Sequence, residues 1–129
     1  MKKLGKTILS AAILSSGILL GTSDAFAMGS KGHSNLTLST DANNYGRGAT
    51  SIDVKVSTTA GNIAVELYKK GNNNPVARQD VEFGINGGSK TFHFYTSGLT
   101  SGQYDVVASG GWGSSNWHRE LTSYINVSR

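Results

Sequence analysis

From residue 34 onward, apolar side chains recur at every second position in short runs separated by breaks rich in glycine and asparagine. Leu36 and Leu38 mark a first run, Ile52, Val54 and Val56 a second, Ile63, Val65 and Leu67 a third, and Val81, Phe83 and Ile85 a fourth. Phe92 and Phe94 mark a fifth, and Tyr104, Val106 and Ala108 a sixth. Leu121, Ile125 and Val127 mark a seventh, with Ser123 the one polar residue on that last inward face. A period of two puts alternate side chains on one face of a strand, so each run predicts a strand with one face on a core and the other in water. No window carries the 3.6-residue stripe of an amphipathic helix.

The breaks are turn formers: Asn43 to Gly48, Ala60-Gly61-Asn62, Gly71 to Pro75, Gly84 to Ser89, Thr96 to Gly102 and Gly110 to Asn116. Glycine and asparagine tolerate positive φ, and Pro75 precedes a strand, where a missing backbone donor does little harm. Seven short strands at this spacing predict two packed antiparallel sheets. Within the sixth, Leu99-Thr100-Ser101-Gly102-Gln103-Tyr104-Asp105-Val106 resembles the segment entering the sixth strand of fibronectin type III and bacterial immunoglobulin-like domains. In those domains a tyrosine folds its hydroxyl back onto an upstream backbone group. The resemblance implies an all-β, seven-stranded antiparallel immunoglobulin-like β-sandwich over 34–129. The chain has no cysteine pair and no tryptophan in its third strand, which sets the antibody branch of that architecture aside.

The first 27 residues follow a different pattern. Lys2, Lys3 and Lys6 precede an apolar stretch from Ile8 to Leu20, and a polar segment ends in Ala25-Phe26-Ala27. That order is the signature of a cleaved signal peptide, and the stretch falls short of the roughly 20 residues a membrane-spanning helix needs. Cleavage after Ala27 is expected, with residues 28–33 as a flexible leader and no membrane insertion. The last residues, Tyr124 to Arg129, carry no apolar tail or wall-anchoring signal, so release from the cell is expected.

Removing that segment changes the charge. It holds three lysines and Asp24 of the chain's 12 basic and eight acidic side chains, so the remainder carries nine and seven, a net of +2. Such a balance gives no electrostatic case for nucleic acid, which needs clustered basic faces. With no cysteine, a thiol nucleophile, a cysteine-held metal and a lipidated cysteine are all ruled out, and packing alone must hold the fold.

Chemistry is thinly signalled. His33 falls in the leader and His93, between Phe92 and Phe94, faces outward; no histidine pair has metal-ligand spacing and no glycine-flanked serine motif occurs. The acids Asp41, Asp53, Glu66, Asp80, Glu82, Asp105 and Glu120 are scattered singly, unlike the facing pair of a glycosidase. Asp41, Asn43 and Asn44 offer oxygens suited to calcium, but asparagines in loops more commonly form turns. No metal and no cofactor is expected.

What remains is Gly110 to Arg119, with both tryptophans. Trp112, Asn116, Trp117, His118 and Arg119 are the candidate ligand-binding residues, since flat rings on a glycine-rich loop give contact area at little entropic cost. Trp112 shares the parity of Tyr104, Val106 and Ala108, and Trp117 that of Leu121 and Ile125, so plugs at the end of the core are the competing reading. The expectation is a secreted, non-enzymatic module that binds an extracellular polysaccharide or protein. The alternative is a small secreted effector, either a hydrolase inhibitor or an antimicrobial protein.

Overall fold

The computed structural model describes residues 28–129, so the expected export segment 1–27 lies outside the described residues. Among them the chain is all-β, and no helix is long and apolar enough to cross a membrane. The strands in chain order are β1 (Ser30–Gly32), β2 (Leu36–Thr40), β3 (Asn44–Tyr45), β4 (Ser51–Thr58) and β5 (Asn62–Lys69). They continue with β6 (Ala77–Glu82), β7 (Gly88–Tyr95), β8 (Gly102–Gly111), β9 (Trp117–Leu121) and β10 (Ile125–Val127).

One sheet is β2–β4–β7, antiparallel throughout. The other is organised on β8, which pairs along one edge with β5, and β6 lies beyond β5. The opposite edge of β8 is divided: β9 pairs with Val107 to Gly110 and β10 with Gly102 to Tyr104. Outside these, β1 flanks β9 and β3 flanks β10.

Alternation then fills the space between the sheets. Leu36, Leu38, Ile52, Val54, Val56, Phe92 and Phe94 meet Ile63, Val65, Leu67, Tyr104, Val106, Ala108, Leu121, Ile125 and Val127 in one core. Burying each large apolar side chain stabilises the fold by about 1.5–3 kcal/mol. The expected first, second, third, fifth and sixth strands are therefore β2, β4, β5, β7 and β8.

Four expectations need correction. The fourth strand ends at Glu82, and Ile85, expected to point inward, is 66% exposed. Phe83 N still donates to the Gly61 carbonyl at 3.0 Å, in register with the strand pairing, and the chain leaves the sheet at Gly84, whose φ is 75°. The seventh strand is broken into β9 and β10, and Ser123, expected inward, is exposed in the bend between them. The Asp105 carboxylate services that break, accepting from Val106 N at 2.8 Å and from Leu121 N at 3.3 Å. Burial holds its carboxyl above the ordinary range despite those two bonds.

Residues 28–33 are not a flexible leader. Met28 is buried and bridges Thr40, and Ser30–Gly32 form β1 against β9. The arrangement is also not wholly antiparallel, because β3 runs parallel to β10. Tyr45 of β3 is buried, and its hydroxyl donates to the Asp41 carboxylate, which also accepts from Asp53 N. Burial raises both the Asp41 carboxyl and, more strongly, the Tyr45 phenol. Asn126 Nδ2 donates to Asn44 Oδ1 at 2.8 Å, so the side-chain oxygens of Asp41 and Asn44 considered for calcium already accept protein donors.

Tyr104 opens the inward row of β8, and its buried hydroxyl donates to the Thr100 carbonyl at 2.7 Å, four residues upstream. Replacing Tyr104 by Phe is expected to cost about 1–3 kcal/mol in chemical denaturation, because the Thr100 carbonyl keeps its desolvation penalty and loses its partner. An unchanged unfolding free energy would mean the bond contributes nothing.

Candidate functional site

The β8–β9 connection closes as a tight turn. Ser115 N donates to the Trp112 carbonyl at 3.1 Å, and Gly113 sits inside the turn at a φ of 65°, where a side chain would be strained. Beneath it lies the β4–β5 turn. A methyl group at Gly61 would stand 2.1 Å from the Gly111 carbonyl and 2.6 Å from Trp112 N, so only glycine allows these backbones to meet. Gly61 N also donates to the Gly84 carbonyl at 2.7 Å, which brings in the β6–β7 connection. The three connections therefore share one end of the molecule, and that end leaves Trp112 50% exposed alongside the protruding Ile85.

The five candidate residues do not form one surface. Trp112 and Asn116 are exposed at the turn. Trp117, at the start of β9, is half-buried, packs against the core, and stacks with His33 at a centroid separation of 5.3 Å and an interplanar angle of 24°. The core-plug reading thus describes Trp117 and not Trp112. His118 projects to the other side of the strand, exposed, with Nε2 3.4 Å from Glu120 Oε1.

Arg119 serves the fold. Its Nε donates to Ser30 Oγ at 2.7 Å, Nη1 to the Gly32 and His33 carbonyls at 3.1 and 3.0 Å, and Nη2 to the Ser30 carbonyl at 3.1 Å. The guanidinium fork clasps β1 to β9, which is why a segment with no apolar side chain between residues 30 and 33 is ordered as a strand. His33 and Ile85 are the residues of this end that the sequence pattern misassigned. Ile85 already stood inside the Gly84 to Ser89 turn cluster, which was the signal against an inward strand position.

Elsewhere several titratable groups are engaged in pairs. His93 Nδ1 lies 2.7 Å from Asp53 Oδ1, and the Ser51 hydroxyl donates to the same oxygen at 2.7 Å. A nucleophilic relay needs the imidazole between hydroxyl and carboxylate, whereas here the serine bonds to the carboxylate directly. Arg78 pairs with Glu66 and Asp80, and Lys31 with Glu120. Among the described residues no three His, Asp or Glu side chains converge as a metal would require. The chain matches no protein-family model, no curated protein and no solved structure.

The two tryptophans should separate in solution. Trp112→Ala is expected to change the unfolding free energy by no more than about 0.5 kcal/mol, as for an exposed side chain. Trp117→Ala should cost about 2 kcal/mol, roughly half the loss for a fully buried large ring. In single-tryptophan proteins made by the complementary Trp→Phe change, acrylamide should quench Trp112 more strongly than Trp117. Equal quenching and equal cost would place both rings in one environment and contradict the assignment.

Proposed function

We propose that this chain is an immunoglobulin-like sandwich, exported by way of residues 1–27, that works outside the cell as a non-enzymatic binding module for a polysaccharide or a protein. The fold reading is supported by the strand order, in which β2, β4 and β7 oppose β6, β5, β8 and the split β9/β10 edge, as the first, second and fifth strands oppose the others in fibronectin type III domains. The bond from the Tyr104 hydroxyl to the Thr100 carbonyl supports it as well.

The observation that carries the binding reading is the exposure of Trp112 on an end stiffened from below. A tryptophan on a rigid turn presents a large amphipathic ring whose immobilisation on binding costs little, and binding energy concentrates on such rings. Ile85 adds apolar surface at the same end. The pairing of His93, Asp53 and Ser51 in an order unsuited to nucleophilic attack supports the non-enzymatic part.

Two assays on the purified protein test this reading: co-sedimentation with isolated bacterial cell walls, chitin and cellulose, and recovery of bound proteins from culture medium on immobilised protein. The expected result is retention in at least one assay, lost in Trp112→Ala at an unchanged unfolding midpoint. A Trp112→Ala protein that retains everything the unaltered protein retains would contradict the assignment.

A further inference from the structure

The outer face of the larger sheet carries a second feature, on the side of β8 away from the core. Strand register sets Tyr68 of β5 directly across from Asp105 of β8, and Glu66 across from Val107. On the other edge of β8, the bend between β9 and β10 places Tyr124 outward, 41% exposed. Tyr68, Asp105, Val107 and Tyr124, together with residues 69–73 and His118, line an open groove of about 340 Å³. Asp105 and Val107 lie between Tyr68 on one side and Tyr124 on the other.

The chemistry of the lining is mixed in a specific way. The Tyr68 hydroxyl donates to Glu66 Oε1 at 3.1 Å. The Lys70 ammonium sits 5.0 Å from the Tyr124 ring centroid and donates to Gln103 Oε1 at 3.3 Å. Asp105 spends Oδ1 on Val106 N and Leu121 N, and among the described residues Oδ2 takes no hydrogen bond. The groove thus offers two aromatic rings, an acceptor at its floor, a cationic donor at one end and an imidazole at the other.

We infer that this groove is a saccharide-binding site for a neutral pyranose unit of an oligosaccharide, with Tyr68 and Tyr124 meeting the sugar ring and Asp105, Lys70 and His118 meeting its hydroxyls. A pyranose has an apolar C–H face and a rim of hydroxyls that donate and accept, so it is the ligand class that satisfies rings and polar groups of both kinds at once. An anionic ligand would meet the Asp105 carboxylate on the floor of the groove. An apolar peptide would cover Asp105 and Lys70 without giving either a partner. The site is on a sheet face, separate from the Trp112 end, and does not depend on what that end binds.

The test is a proton–nitrogen correlation titration of the labelled protein with chitotriose, cellotriose, maltotriose and mannotriose at millimolar concentration. At least one should shift amides of residues 68–73, 105–107 and 118–124 and leave 112–116 in place. Tyr68→Ala and Tyr124→Ala should each weaken that binding by about tenfold or more, a factor that corresponds to ~1.4 kcal/mol, while Lys55→Ala, exposed on the outer face of the other sheet, leaves it unchanged. Both tyrosines project away from the core, so circular dichroism and the thermal midpoint of each variant should match the unaltered protein. Absence of shifts with all four sugars, shifts confined to 112–116, or binding indifferent to both tyrosines would each overturn the inference. Failure here with Trp112-dependent retention intact would leave the binding-module reading standing.

Discussion

A chain with no cysteine that folds as two sheets has no covalent tie between them, and the contact of their inner faces must do all the work. Everything else in the structure follows from keeping that contact dry and continuous. Both sheets supply a central strand, β4 in one and β8 in the other, whose inward side chains are all but completely buried. The edges are closed by smaller devices. Arg119 ties β1 to β9, Asp105 caps the amide freed where the last strand bends, and Gln79 of β6 reaches the His93 carbonyl of β7 across the gap between sheets. Each device spends a polar side chain on backbone groups that would otherwise be left without partners at an edge.

That division of labour frees the ends and outer faces. The turns at the Trp112 end meet through backbone contacts at Gly61, Gly84 and Gly111, which leaves the Trp112 and Ile85 side chains exposed for contact with something else. The outer face of the larger sheet is available for the same reason: Tyr68, Asp105 and Val107 lie on the strands that build the core, with the parity that the core does not use. Rigidity comes from the inward row, and recognition chemistry sits one residue away on the same strand.

The inward row was legible because burial on one face imposes a period of two that no other local structure produces. Reading failed where local pattern and tertiary partner part company. Val81, Phe83 and Ile85 alternate correctly, yet Gly84, at a φ of 75°, turns the chain out of the sheet before Ile85 can point inward. Ser30-Lys31-Gly32 has no apolar residue to announce a strand, since its pairing is held by an arginine 87 to 89 positions away. Trp112 and Trp117 looked equivalent by parity; the difference is that Trp117 begins a strand beneath the His33 ring and Trp112 begins a turn. The groove was not legible at all, because it arises from register between β5 and β8 and from the bend before Tyr124, neither of which a single strand's pattern records.

If one shared core couples the two sheets, they must open together. Native-state hydrogen exchange measures this residue by residue. The account predicts that the central amides of β4, β5 and β8 exchange only through global unfolding, at one common free energy, while amides from Trp112 to Asn116 exchange at a much lower one. Central β4 amides exchanging at a free energy well below those of β5 and β8 would show that the sheets open independently, and would contradict it.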